Sequence, residues 1–180
     1  MKHIQRILVP TDLSENSRRG LNYACSLAED NEAHLVVLHV ANEFKLWELY
    51  SDDFSFLTPA GRAWPVDRAL CEATLDLNRF LEPHLEIMKR IPSVHKRLVL
   101  GSIPDKIALV AQQEQVDLIV MSPRRAGRFG RIFAPSITDR VMRISPCPVL
   151  SVAPPFSTHP SHGTLTPARF HWPRQKMASV

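Results

Sequence analysis

The chain has 180 residues, 44% of them hydrophobic and 22% charged, with a formal net charge of +4; this is the make-up of a globular protein with one ordinary domain and an appendage. It excludes a membrane-spanning helix, because no uninterrupted apolar run approaches the length needed. The opening residues, Met1 to Arg6, lack the long apolar stretch of a signal peptide, so a cytoplasmic protein is expected.

The charge divides unevenly. Residues 153–180 hold Arg169, Arg174 and Lys176 and no acid, which leaves 19 basic against 18 acidic residues in the body. The body is nearly neutral, so overall charge gives no reason to expect a nucleic-acid or membrane partner.

In chain order, Ile7-Leu8-Val9 reads as a first strand, continuously apolar and therefore covered on both faces. Ser14 is a good N-cap for a helix that repeats Leu21, Ala24, Cys25 and Ala28 on one face. Leu35-Val36-Val37-Leu38 predicts the second strand. Residues 43–64 then carry Phe44, Trp47, Tyr50, Phe54, Phe56 and Trp64. A connection so rich in aromatics reads as a lid, as a surface for a protein partner, or as a cap on the domain's own core. Residues 65–90 predict a helix through Leu70, Leu77, Leu81, Leu85 and Met88, kinked at Pro83, where a hydrogen bond is lost.

His95–Leu100 is a weaker third strand, followed by a helix over Ile103–Gln115 with Ile107, Val110 and Ala111 inward. Leu118-Ile119-Val120-Met121 predicts the fourth strand. Ser136 to Arg143 predicts a helix, with Ser136 and Asp139 at capping-box spacing. Val149–Val152, behind Pro146 and Pro148, closes the series. Residues 153–180, with five prolines and three histidines, read as a flexible basic tail. His159, His162 and His171 are too loosely spaced for a metal site.

This order predicts an α/β fold: a doubly wound sheet of five parallel strands with right-handed crossovers and helices on both faces. Ligands of such sheets bind beyond the carboxyl ends of the strands, where strand order reverses. That points to Pro10–Ser14, His39–Asn42 and Ser122–Ser136. Cys25, Cys71 and Cys147 lie far apart with no histidine at ligand spacing, so free, mostly buried thiols are expected, and neither a disulfide nor a metal site.

Three stretches resemble the universal stress protein (UspA-like) family. They are Ile7-Leu8-Val9-Pro10-Thr11-Asp12-Leu13-Ser14; Gly101-Ser102-Ile103-Pro104 with Val116 to Met121; and Ser136-Ile137-Thr138-Asp139-Arg140-Val141 with Ser145-Pro146-Cys147-Pro148-Val149-Leu150. The resemblance makes residues 1–152 the domain and 153–180 the tail. It implies a Rossmann-like (HUP-type) form of this five-stranded sheet and a dimer paired through the last strand, here Val149–Val152.

In the family's ATP-binding branch the loop after the fourth strand carries a glycine, two residues, a second glycine, nine residues, then glycine and Ser or Thr. Counted from Met121, the glycine positions fall on Ser122, Arg125 and Pro135, and only the hydroxyl survives, as Ser136. Ser122 and Arg125 add side chains where backbone approaches phosphate, and Pro135 has no amide hydrogen to donate. Gly127 and Gly130 restore the spacing in no register. The same loop gains Arg124, Arg125, Arg128 and Arg131, whose guanidinium forks suit a different phosphorylated ligand or nucleic acid, or else lie solvated or pair with a partner's acids. Asp12 and Val40 match family positions facing ribose and adenine, and Asp12 also suits a turn. Pro10, Thr11, Asp12, Val40, Arg124, Arg125 and Ser136 are thus the candidate nucleotide-binding set.

No catalytic residue is expected: no His or Cys is placed beside a carboxylate, and His39 at a strand end has a backbone-bonded reading. The dinucleotide glycine fingerprint and the phosphate-loop lysine are absent. The expectation is therefore a non-catalytic stress-response dimer without a cofactor, acting through protein contacts, with residues 43–64 as its distinctive surface. The alternative is a stress sensor binding ATP, another nucleotide or a phosphate ligand, with an adenine nucleotide as the possible cofactor and weak ATPase activity left open. Nucleic-acid binding by the arginine loop and tail ranks third.

Overall fold

Strand β1, Arg6–Thr11, contains the first apolar run, and Ile7, Leu8 and Val9 are at most 1% exposed. The computed structural model describes residues 3–41, 64–123 and 136–153, without the side chains of 64–69. The aromatic connection (apart from the backbone of Trp64), the arginine loop from Arg124 to Pro135 and the tail after Ala153 lie outside the described residues. After β1 come α1 (Glu15–Asp30), β2 (His34–Ala41), α2 (Trp64–Leu81), α3 (Leu85–Met88) and β3 (Val94–Leu100). Then follow α4 (Ile103–Gln113), β4 (Leu118–Met121), α5 (Ile137–Ile144) and β5 (Val149–Ser151).

All strand pairs are parallel, and the five-stranded order is β3-β2-β1-β4-β5. The chain winds outward from β1 to β3, then returns past β1 to β4, so strand order reverses between β1 and β4. Each face has its own core. On one, Ile7, Val9, Leu35 and Val37 pack with Leu21, Ala24, Cys25 and Ala28 of α1 and Leu77, Phe80 and Leu81 of α2. On the other, Leu8, Val36, Leu38 and Ile119 pack with Ile107, Val110 and Ala111 of α4 and Val141 of α5. Alternate residues of each strand feed opposite cores, which is why the runs are apolar without alternation. Each large side chain so buried contributes about 1.5–3 kcal/mol.

The edges differ. β3 exposes His95, Lys96 and Arg97, while β5 presents the half-buried Val149 and Leu150. No helix among the described residues is long and apolar enough to cross a membrane.

Two expectations are corrected. The predicted helix over 65–90 is not one kinked helix: α2 stops at Leu81, a 3-10 turn spans Glu82–His84, and α3 adds one turn. Pro83 cannot donate to the preceding turn and its ring clashes there, so the helix ends instead of bending. Nor are the thiols mostly buried. Cys71 sits on the outward face of α2, Cys147 is half-buried, and only Cys25 is fully enclosed. Burial pushes the Cys25 thiol up to about 12, and it raises Cys147 in the same direction.

Helices α1 and α4 end alike. Ala33 N–H donates to the Ala28 carbonyl at 2.9 Å and Val116 N–H to Ala111 at 3.0 Å, with Glu32 and Gln115 in left-handed backbone at φ 51° and 52°. This is a Schellman closure, whose left-handed position normally takes glycine. Glu32→Gly and Gln115→Gly are each expected to stabilise the fold by about 1 kcal/mol, because a side chain pays for positive φ. Thermal melts check this, and an unchanged or lowered midpoint in both variants counts against it.

Candidate functional site

The carboxyl ends of β1, β2 and β4, with the start of α1 beside them, lie around the strand-order reversal, the place where ligands of such sheets bind. Thr11 ends β1 and is 6% exposed. Its Oγ1 lies 2.9 Å from Ser17 Oγ and accepts the Leu13 amide at 3.0 Å. Leu13 takes φ 60°, which turns the chain within three residues and lets Asp12 fold back. Asp12 Oδ1 accepts the Ser14 amide at 3.0 Å and the Ser14 hydroxyl as well. Ser14 in turn caps α1, accepting the Ser17 amide at 3.3 Å. The loop is a self-contained turn in which Asp12 has the structural role open to it.

Pro10 is half-buried and in register with Leu38, and Val40, 7% exposed, packs in the second core. Val40 therefore offers a ligand its backbone and not its side chain. His39 Nδ1 lies 2.9 Å from the Thr11 carbonyl. A carbonyl only accepts, so Nδ1 carries the proton and the ring is tied to backbone.

Across the reversal, Asn16 Nδ2 donates to the Pro123 carbonyl at 2.8 Å, joining the start of α1 to the end of β4. Gly20 of α1 comes closer still. A Cβ added there would lie 2.5 Å from Ser122 Oγ and 3.4 Å from its amide nitrogen. Ser122 Oγ is buried with no hydrogen-bond partner among the described residues. The side chain standing at the first expected glycine position thus fills the space that Gly20 leaves.

Ser136 is the N-cap of α5, and both halves of the predicted capping box form. Its hydroxyl accepts the Asp139 amide at 3.0 Å, and its own amide donates to Asp139 Oδ2 at 3.2 Å. The helix start where a phosphate would be expected already holds a carboxylate. Arg124 and Arg125 lie outside the described residues.

The structure brings Pro10, Thr11, Asp12 and Val40 to one edge of the sheet, with Ser136 at a helix start. Sequence reasoning missed Asn16, Ser17 and Gly20. An isolated glycine inside a helical pattern was the available signal, since it marks close packing. Among the described residues no group of three or more His, Cys, Asp or Glu is placed to hold a metal ion. A concave pocket of about 600 Å³, lined by Gln5, Arg6, Glu32, His34, Gln115 and Asp117, lies at the opposite, amino end of the strands.

The arrangement matches known proteins along nearly the whole domain. A family model described as the universal stress protein family matches residues 3–153. Two universal stress proteins of Methanocaldococcus jannaschii are similar in sequence. One is 29% identical over 154 residues, covering 82% of this chain and 94% of the relative. The other is 24% identical over 159 residues, covering 84% and 83%. Among solved structures, universal stress protein UspA from Lactobacillus plantarum shares the fold with a TM-score of 0.63 at 22% identity, over 84% of this chain and 99% of that one. A universal stress protein solved in complex with cAMP shares it with a TM-score of 0.54 at 20% identity, over 84% and 98%. Residues 3–153 and the sheet they form place this chain in the universal stress protein family.

Proposed function

We propose that this chain is a non-catalytic, dimeric stress-response module that acts through protein contacts and has given up its family's nucleotide site. The observation that carries this reading is the capping box at α5. Ser136, the one survivor of the family's phosphate-binding pattern, has its hydroxyl and its amide both engaged by Asp139. The hydroxyl of Thr11 and one carboxylate oxygen of Asp12 are likewise engaged locally. The aromatic connection, residues 43–64, is the proposed partner surface. Titration of ATP with magnesium into folded, nucleotide-free protein tests the reading: no heat of binding is expected up to millimolar nucleotide, and low-micromolar binding would overturn it.

Dimerisation is proposed through β5. The charges on β3 disfavour pairing there, because exposed charge blunts a sheet edge. Val152 N–H donates to Met121 at 2.7 Å, so the alternation of the strand turns the Ser151 amide to the free edge. Ser151→Pro removes that outward donor and leaves the ladder to β4 intact. Sedimentation at micromolar concentration is expected to show a dimer for the natural chain and a monomer for the variant. A natural chain that sediments as a monomer would remove the dimer from the proposal.

A second reading is favoured by the cAMP complex of a fold relative. On that reading an adenine nucleotide binds this chain at Asp12 and the Val40 backbone, and the guanidinium forks of Arg124 and Arg125 take the part of the glycine cradle.

A further inference from the structure

The break between α2 and α3 carries a buried histidine that the proposed function does not use. The 3-10 turn after Leu81 places His84 inward, 5% exposed, and its Nδ1 is buried without a hydrogen-bond partner among the described residues. Its ring stacks with Phe80, centroids 6.1 Å apart and planes 27° apart. From α1, the Arg18 guanidinium lies over the Phe80 ring, 4.6 Å from its centre, and Nη1 donates to the Phe80 carbonyl at 3.0 Å. Arg18, Phe80 and His84 therefore tie α1 to the end of α2.

The charges around this contact do not favour an imidazolium. Arg18 and Glu15 face it from α1, and Arg18 Nε pairs with Glu15 at 2.8 Å. Glu86 of α3 and Arg90 beyond it line the adjoining groove of about 580 Å³. Glu86 pairs with Lys89 at 2.6 Å, and Arg90 with Glu29 at 3.5 Å. Among the described residues, Glu15, Glu86 and Glu29 thus each pair with a cation other than His84.

We propose that the Arg18–Phe80–His84 contact is an acid-sensitive latch, in which protonation of His84 releases the α2–α3 turn from α1. Burial holds the His84 ring below the ordinary histidine value of 6.5, and the Arg18 charge adds to this; the Phe80 carbonyl and Glu15 pull less strongly the other way. The sign follows by linkage. The open form titrates near 6.5 and the closed form lower, so the latch is strongest above that value. It weakens as pH falls through 6.5 and levels off below the closed form's own value. Each unit between the two values multiplies opening by about ten at low pH. Opening uncovers Phe80 and Leu81, 3% and 0% exposed when closed.

The test is hydrogen exchange on the full chain at pH 7.5 and 5.5, corrected for intrinsic exchange, with β1 and β2 amides as the internal reference. Opening of residues 77–91 is expected to rise several-fold at the lower pH, and His84→Phe, which stacks but cannot be protonated, is expected to abolish the rise. Proton NMR of the His84 ring supplies a second readout: its titration lies below 6.5 in the natural chain and moves up in Arg18→Gln. An equal pH response in His84→Phe overturns the latch. So does a His84 ring titrating at or above 6.5 in the natural chain, which decides the matter alone if His84→Phe fails to fold.

Discussion

Substituting Ser122→Gly, Arg125→Gly and Pro135→Gly together is expected to bring ATP binding from undetectable at millimolar nucleotide to micromolar, at least about a thousandfold gain in affinity, or roughly 4.1 kcal/mol. The three substitutions restore the spacing of a glycine, two residues, a glycine, nine residues, then glycine and Ser136. Two of them remove side chains from places where backbone must approach phosphate, and the third returns an amide hydrogen just before α5. The Asp139 carboxylate then competes with the triphosphate for the Ser136 amide, which it accepts at 3.2 Å. Adding Asp139→Ala is expected to gain a further few-fold in affinity while costing the capping of α5 about 1 kcal/mol. Calorimetric titration of the natural chain, the triple variant and the quadruple variant separates the cases. A folded triple variant that stays silent would show that something other than the missing glycines closed the site. Tight binding by the natural chain would promote the arginine loop to the working phosphate site.

Much of the architecture was legible because it rests on short-range pattern. The runs at Ile7, Leu35 and Leu118 are apolar at every position, and only a strand fed by two cores requires that. The weaker run at His95–Leu100 was legible for a different reason: it lies at the edge, where Lys96 and Arg97 remain exposed. The capping box at Ser136 and Asp139 was equally local, three residues apart, and forms as its spacing predicts. Legibility failed where the outcome depends on which of two local preferences wins. Pro83 either bends a helix or ends it, and the sequence around it does not decide. Glu32 and Gln115 give no sign of positive φ, since the closure of α1 and α4 overrides their preference. The site failed in a third way. Gly20 and Ser122 are neighbours across 102 positions of sequence, and nothing near either residue announces the other.

That long-range contact sets the second large effect. Gly20→Val is expected to destabilise the fold by about 2–3 kcal/mol, the upper part of the range for overpacking. The added Cβ would stand 2.5 Å from Ser122 Oγ, which rotation of a small side chain can relieve. It would also stand 3.4 Å from the Ser122 amide nitrogen, and the valine methyls reach beyond Cβ toward backbone that cannot rotate away. Helix α1 must then lift from β4, straining the Asn16 bond to the Pro123 carbonyl beside the strand-order reversal. Denaturant melts of Gly20→Val, Ser122→Gly and the double variant form a cycle. If Ser122 is the neighbour that matters, Gly20→Val costs about 1 kcal/mol less in the Ser122→Gly background, a coupling of the size expected for residues in contact. An equal cost in both backgrounds would place the conflict elsewhere along α1. Ser122→Gly alone also removes a buried hydroxyl that lacks a partner, offsetting part of the side-chain contact it loses. Ser122, at the position the proposed reading assigns to the first glycine of the family pattern, is therefore wedged between a helix and the reversal of the sheet, so the close packing of α1 on β4 and the proposed loss of the phosphate cradle meet at one side chain.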